Sequence, residues 1–213
     1  MQFVKTTFFF TLLTFISIGF YACSENVQTD FSKAELERLQ TSNPDSAAYL
    51  YEQKPGDETQ DSAVTRFLAD YWLEKDPQKA FYYLNLLLKK KQMIDEDRVV
   101  LIEFLLNSRD FENALLHADT VLNHQPENLK YQTLKAVVFQ ESGMNDSSLV
   151  LLQHVIGQSP YNAELYFMQG INYFALNDTT QACMMLDKSI SLGYHVQDSV
   201  YSNLCNKTKL ILE

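Results

Sequence analysis

Apolar and small residues recur along this chain at intervals of 34 residues. At three positions of this period the residues are mostly large and apolar: Tyr71, Leu105, Phe139 and Tyr173; Leu84, Ala118, Leu152 and Leu186; Leu87, Val121, Val155 and Ser189. At a fourth position all the residues are small: Ala80, Ala114, Ser148 and Ala182. A small residue lets the second helix of a pair approach the first, and the large residues fill the space between them. Because one helix pair cannot cover its apolar face alone, the pattern predicts a stack of helix pairs with a continuous core.

Acidic residues mark the predicted starts of the second helices. Asp76, Asp110 and Asp178 stand where a carboxylate can accept hydrogen bonds from the first free backbone amides of a helix. The corresponding helix of the third pair is predicted to start at Asn145 or Asp146, after Gly143, so its start is defined to within one residue.

The period and the residue choice resemble the tetratricopeptide repeat (TPR), a pair of antiparallel helices, from Asp61 to Tyr194. The resemblance implies an all-α fold, a right-handed superhelix of antiparallel helix pairs with capping helices, in four repeats: 61–94, 95–128, 129–162 and 163–196. The fourth repeat matches best, through Gly170, Tyr173, Ala182 and Leu186. Where the two helices should approach most closely the repeats carry, in order, Leu68, Ile102, Ala136 and Gly170. We therefore expect the first two repeats to be less regular.

The segments on both sides of the repeats are predicted to cap the stack. Residues 31–60 contain two short helical patterns, over 32–40 and 45–53, followed by a loop over 54–60. Residues 197–213 are predicted to form one more helix that covers the apolar side of the fourth repeat. A repeat stack needs such caps for solubility.

The N-terminus is predicted to direct the chain to the cell envelope. Lys5 precedes an uncharged run from Phe8 to Ala22, which is typical of an export signal over residues 1–22. The residues that end in Cys23 resemble a bacterial lipobox, which implies a lipoprotein acylated on this cysteine and held by a polar tether, 23–30. Ser24 after the cysteine implies the outer membrane. An uncleaved membrane anchor and an ordinary export segment with an incidental cysteine are the alternatives.

Charge and glycine content exclude several classes of function. Seventeen basic residues against 27 acidic ones give a net charge of −10, which disfavours binding to nucleic acid. The six glycines are too scattered to form a phosphate-binding loop, so nucleotide enzymes that depend on such loops are excluded.

The resemblance also implies a partner-binding groove, because TPR proteins line a concave groove mainly with the first helix of each repeat. The motif positions concerned carry Ser62, Thr65, Ala69 and Trp72; Glu96, Val99, Glu103 and Leu106; Lys130, Thr133, Val137 and Gln140; Glu164, Phe167, Ile171 and Phe174. The lysine and asparagine with which some members clamp a carboxylate are absent from these positions in the first two repeats, where Thr65, Ala69, Val99 and Glu103 stand.

We predict that an apolar, aromatic strip of this groove holds a helix or an extended segment of a protein partner. Its candidate residues are Trp72, Val99, Glu103, Leu106, Val137, Phe167, Ile171 and Phe174. The alternative is that several of them pack against neighbouring helices or caps. The groove glutamates either select a cationic partner or form an ordinary solvated face.

The sequence offers no catalytic or metal-binding motif. The four histidines, His117, His124, His154 and His195, lack the spacing of a zinc site, and no nucleophile motif is present. We therefore expect no enzymatic activity, no cofactor and no metal. Cys183 and Cys205 lie on predicted neighbouring helices, so an oxidising compartment could join them, but two buried free thiols are the favoured interpretation.

Together these patterns predict a membrane-anchored TPR scaffold that binds a protein or peptide partner in a bacterial envelope complex. The alternative is a lipoprotein of a nutrient-uptake system that binds a glycan or small ligand by stacking on Trp72, Phe167 and Phe174. A sugar site should place aromatic rings beside polar groups in one small pocket. A peptide groove should instead run across several repeats.

Overall fold

The computed structural model describes residues 33–53, 61–197, 201 and 205, and within them it contains ten helices and no strand. The helices are α1 (Lys33–Ser42), α2 (Pro44–Gln53), α3 (Ser62–Trp72), α4 (Pro77–Lys89), α5 (Asp95–Asn107), α6 (Phe111–His124), α7 (Leu129–Glu141), α8 (Asn145–Gln158), α9 (Ala163–Ala175) and α10 (Thr179–Ser191). The predicted signal peptide, Cys23, the tether, the loop over 54–60 and most of the C-terminal cap lie outside the described residues.

The chain divides into two compact units, the first ending at Leu50 and the second beginning at Tyr51. In the first unit, α1 and α2 are separated by Asn43, whose side-chain oxygen accepts a hydrogen bond from the backbone amide of Ser46 (3.1 Å). Ala47 and Ala48 are buried.

The second unit contains four consecutive helix pairs, α3/α4, α5/α6, α7/α8 and α9/α10. The two helices of each pair pack along each other, and α6 and α8 also pack against the first helix of the next pair. The small residues that recur every 34 positions are completely buried in all four pairs: Ala80, Ala114, Ser148 and Ala182. The predicted fold, an α-solenoid of antiparallel helix pairs, is confirmed.

The predicted N-caps are confirmed at three of the four second helices. Asp76 accepts hydrogen bonds from the amides of Gln78 and Lys79, and Asp110 and Asp178 each cap their helix through the amide three residues ahead. Satisfying these otherwise free amides fixes where each helix begins.

The start predicted for the second helix of the third pair is confirmed at Asn145. Helix α8 begins at Asn145, in exact 34-residue register with the starts of the other second helices, although its N-cap residue, Met144, makes no side-chain hydrogen bond. The turn before it explains the register. Arg109, Gly143 and Asn177 are also 34 residues apart, and all three adopt the left-handed conformation, with φ of 60°, 78° and 63°. A left-handed residue is a common way to end a helix.

Gly170 allows the fourth helix pair to approach closely. A Cβ at this position would lie 2.9 Å from the Cγ and Cδ2 atoms of Leu186 and 3.2 Å from the carbonyl oxygen of Ala182. The equivalent Leu68 and Ile102 are completely buried. Despite this bulk, α3/α4 and α5/α6 still form complete pairs, because these side chains fill the space between their helices.

Cys183 and Cys205 form a disulfide bond, so the interpretation as two free thiols is wrong. Their Cα atoms lie 5.5 Å apart, which suits a bridge. Around it, Leu186, Val196 and Cys205 form a buried cluster, so the bond ties α10 to the residues that follow it.

Candidate functional site

The structure uses Trp72, one of the predicted groove residues, in contacts within the chain. Its indole nitrogen donates a hydrogen bond to Oε1 of Glu52 (2.9 Å), and the Nζ atom of Lys79 lies 3.8 Å from the centroid of its ring. Thr65 and Ala69, on the same helix, are buried. The α3 residues predicted to line the groove therefore mostly make contacts within the chain.

Glu52 is the centre of this cluster. Besides the indole of Trp72, it accepts hydrogen bonds at Oε1 from Nζ of Lys79 (3.2 Å) and the hydroxyl of Tyr83 (3.0 Å). Burial, and then the hydrogen bond to Glu52, raise the pKa of Tyr83, so its hydroxyl stays protonated and donates. Within the second unit, this one carboxylate thus joins side chains of α3 and α4, which sequence reasoning did not anticipate.

At the other end of the solenoid, Phe167 also has a partner within the chain. Its ring stacks on that of Tyr194, with centroids 4.8 Å apart and planes inclined by 27°. The ring packs against the cluster around the disulfide bond. On the same helix, Ile171 is half-buried, whereas Phe174 is 41% exposed.

The middle of the predicted groove combines exposed and half-buried residues. On α5, Glu103 is exposed, and Val99 and Leu106 are half-buried. Val137, on α7, packs against the core cluster that includes Ala136. The predicted residues thus lie on four different helices and vary from core to surface, and their role in binding stays a prediction.

A second surface, which sequence reasoning missed, lies on the second helices. We call it the B-helix row, and it consists of Tyr82, Leu116, Val150 and Met184. These residues lie at one position of the four repeats, 34 residues apart, and are 62%, 60%, 69% and 54% exposed, respectively. The same period that predicted the core would have identified the row, since a position that stays apolar in every repeat yet lies away from the core needs another explanation.

Acidic residues accompany the middle of the B-helix row. Glu112 and Asp146 are exposed and precede Leu116 and Val150 by four residues, so each lies one helical turn away on the same face. The row therefore combines an apolar contact surface with negative charge, a pattern suited to a partner that carries basic and apolar residues.

Three of the four histidines have partners within the chain. Nδ1 of His117 lies 3.0 Å from Nη1 of Arg98, and burial, followed by the charge of Arg98, lowers the pKa of His117. A neutral ring that accepts a hydrogen bond from the guanidinium fits this geometry. His124 pairs with Asp95 (2.7 Å), and His154 with the side chain of Gln132 (2.9 Å).

In the described part of the chain, no group of three or more histidine, cysteine or acidic side chains is arranged to hold a metal ion. No helix in the same part is both long and apolar enough to span a membrane. What these surfaces can do chemically is bind another molecule by apolar contact and charge.

Solved structures with the same arrangement of helices identify the fold type. YrrB, described as a TPR protein with an unusual peptide-binding site, superposes with a TM-score of 0.64 and 16% sequence identity, over 75% of this chain and 84% of YrrB. The chain has a TPR-type fold. MamA from Desulfovibrio magneticus RS-1 gives a TM-score of 0.55 at 20% identity, over 62% of this chain and 75% of MamA. MamA of AMB-1 gives 0.61 at 15% identity, over 78% and 92% of the two chains.

At these identities the likeness of this TPR-type chain to YrrB and MamA concerns the fold alone. Comparison with protein-family profiles and with curated protein sequences finds no match.

Proposed function

We propose that this chain is a protein-interaction scaffold that holds a protein or peptide partner, is anchored through Cys23 in a bacterial envelope complex and catalyses no reaction. The observation that carries the proposal is the B-helix row, an exposed apolar residue repeated on all four second helices. Isolated exposed apolar residues need no explanation, but an exposed apolar residue at the same position of every repeat offers regularly spaced contacts to another molecule.

The fold and the charge support the same conclusion. YrrB, which shares the fold, is described as having a peptide-binding site. The net charge of −10, together with exposed acidic residues near the row and on the first helices, favours a partner with basic residues. We expect the predicted groove residues Glu103 and Phe174 to contribute a second contact surface, because both are exposed.

Two observations support the envelope location and the anchor. The residues that end in Cys23 resemble a lipobox. The disulfide bond between Cys183 and Cys205 favours an oxidising compartment outside the cytoplasm, because cytoplasmic thiols are normally kept reduced.

The proposal is tested by crosslinking a tagged full-length chain in native cell envelopes and identifying its partners by mass spectrometry. We expect a reproducible protein partner that is lost with Cys23→Ala, because the anchor places the scaffold beside it. The double variant Leu116→Ser/Val150→Ser should reduce capture about tenfold or more, since two buried apolar contacts would be lost.

Matched variants separate the two surfaces. Asn123→Ser/Gln153→Ser changes exposed polar residues on the same face of the same helices, and should reduce capture much less than the loss of the two apolar side chains does. Glu103→Ala/Phe174→Ala tests the predicted groove in the same assay. Absence of any reproducible protein partner, or capture unaffected by changes on both surfaces, would contradict the proposed function.

A further inference from the structure

We infer that a cleft between α4 and α5 binds an apolar side chain of a partner peptide together with the peptide group beside it. This inference rests on the proposed function, which it extends by naming a site and a ligand class. The cleft has a volume of about 510 Å³, and the residues that line it include Phe81, on α4, and Phe104, on α5. The centroids of these two rings lie 5.9 Å apart, and their planes are inclined by 49°.

The cleft exists because α4 and α5 pack against each other far less than the equivalent helices of the later repeats do. Val138 and Asn172, which correspond to Phe104 in the third and fourth repeats, are completely buried, whereas Phe104 is only half-buried. The later junctions are thus filled by their own side chains. The first junction leaves two aromatic rings in contact with solvent.

The opening is held in a defined shape. At its N-terminal end, α5 is joined to α3 by a bidentate ion pair between Arg66 and Asp97, with Nε–Oδ1 and Nη2–Oδ2 distances of 2.7 and 2.9 Å. Phe104 lies two turns further along α5, where the helix borders the cleft. A site formed in advance binds more tightly because less order must be created when the ligand enters.

The polar residues of the rim decide the ligand class. Asp110 accepts hydrogen bonds from the backbone amide and side-chain Nδ2 of Asn113 (3.3 and 2.8 Å), and the hydroxyl of Ser108 donates to the carbonyl of Leu105 (3.0 Å). Both groups are therefore engaged within the chain. The other polar residues that line the cleft are Gln78 and Asn107, and both are exposed. Within the described part of the chain neither carboxamide has a hydrogen-bond partner.

A carboxamide carries donors and an acceptor, which are the groups that a peptide bond pairs with. Two uncharged amides beside two phenyl rings thus match an apolar side chain and its adjoining peptide group. A sugar ring would need donors and acceptors around several hydroxyls, and here the proton of the Ser108 hydroxyl is already donated and the Asp110 carboxylate already caps α6. The peptide is the ligand that the rim favours.

The test uses a photoreactive probe, the N-acetyl methylamide of a diazirine analogue of leucine, with the full-length chain in native envelopes. After irradiation, mass spectrometry locates the labelled residues. We expect labelling at 77–81 and 104–110, and competition by excess N-acetyl-leucine methylamide. Labelling spread over the surface without preference for these segments, or displacement by methyl β-glucoside but not by the leucine amide, would overturn the inference.

The key variant is Gln78→Ala/Asn107→Ala, which removes both carboxamides and leaves the aromatic walls. Labelling should fall about tenfold, since two hydrogen bonds to the ligand are lost. Asn123→Ala/Gln153→Ala, which removes two exposed carboxamides elsewhere, should leave it unchanged. Equal labelling of the key variant and the wild type would show that these carboxamides do not hydrogen-bond to the peptide group.

The same variants keep the two proposals apart. If the envelope partner is still captured while the probe does not label the residues of the cleft, the cleft inference fails and the scaffold function stands. If the probe labels the cleft but no protein partner is ever captured, the scaffold function fails while peptide binding by the cleft stands.

Discussion

Arg66 and Asp97 form a bidentate ion pair between the first and second helix pairs, and Asp97 is buried, with only 5% of its side chain exposed. The same carboxylate accepts a hydrogen bond from the backbone amide of Ile94 (3.0 Å) at the start of α5. Since α4 and α5 pack weakly, this pair is a principal link between the two repeats. Here an ion pair helps to hold consecutive helix pairs together, whereas apolar packing does so at the later junctions.

Replacing Arg66 by methionine should therefore lower the free energy of unfolding by about 2–3 kcal/mol, because it leaves a buried carboxylate without its partner. Urea denaturation measures this directly. Lys135→Met is the matched control, since the side chain of its partner Asp119 is 44% exposed, against 5% for Asp97, and its loss should therefore cost less than that of Arg66. Equal effects of the two substitutions would show that burial does not strengthen the first pair.

Gly170→Ala should destabilise the fourth helix pair. The added methyl group would meet Leu186 and the backbone of Ala182, and overpacking should outweigh the gain in helix propensity, with a net loss of about 1–2 kcal/mol. Gly157→Ala is the control, because a Cβ there meets nothing within 4 Å and should stabilise the protein by up to about 1 kcal/mol. Thermal unfolding of the two variants should show shifts of opposite sign; a stabilising Gly170→Ala would contradict the close approach.

The left-handed turns give a pair of opposite predictions. Gly143→Ala should cost about 1 kcal/mol, because its φ of 78° is unfavourable for any residue with a Cβ, although there is space for the methyl group. Arg109→Gly should stabilise by up to about 1 kcal/mol, because it relieves the same strain at φ 60°, less the added entropy of the unfolded chain. Chemical denaturation of both variants tests the register of the turns, and a destabilising Arg109→Gly would argue against it.

His117 should make stability depend on pH. Burial and Arg98 lower its pKa below the ordinary value of 6.5, so the unfolded chain binds the proton more readily than the folded one. The contribution of neutral His117 to the free energy of unfolding is fully present above pH 6.5. It is lost as the pH falls from there towards the lowered pKa of the folded state. Urea denaturation between pH 7.5 and 5 should show a smaller loss for His117→Gln than for the wild type. Identical pH profiles for His117→Gln and the wild type would exclude the effect.

Much of the fold could be predicted from the sequence because its signals are local or periodic. Asp76 and Asp110 cap helices through the nearest amides, which depends on a few neighbouring residues. The buried small residues, such as Ala80 and Ala182, follow from a period that one type of helix pair imposes on every repeat. At the third repeat the predicted start at Asn145 is confirmed, and Gly143 supplies the left-handed turn there although no side chain caps α8.

The sequence by itself determined the helix pairs, their 34-residue register and the overall solenoid, since these depend on spacing that every repeat shares. Only the tertiary structure decided that Trp72 is held by Glu52, that Phe167 stacks on Tyr194 and that the first junction stays open beside Phe104. The physical reason is that repeat position sets which way a side chain points. Whether it then meets solvent or protein depends on contacts with segments distant in the sequence, whose positions no repeat pattern specifies.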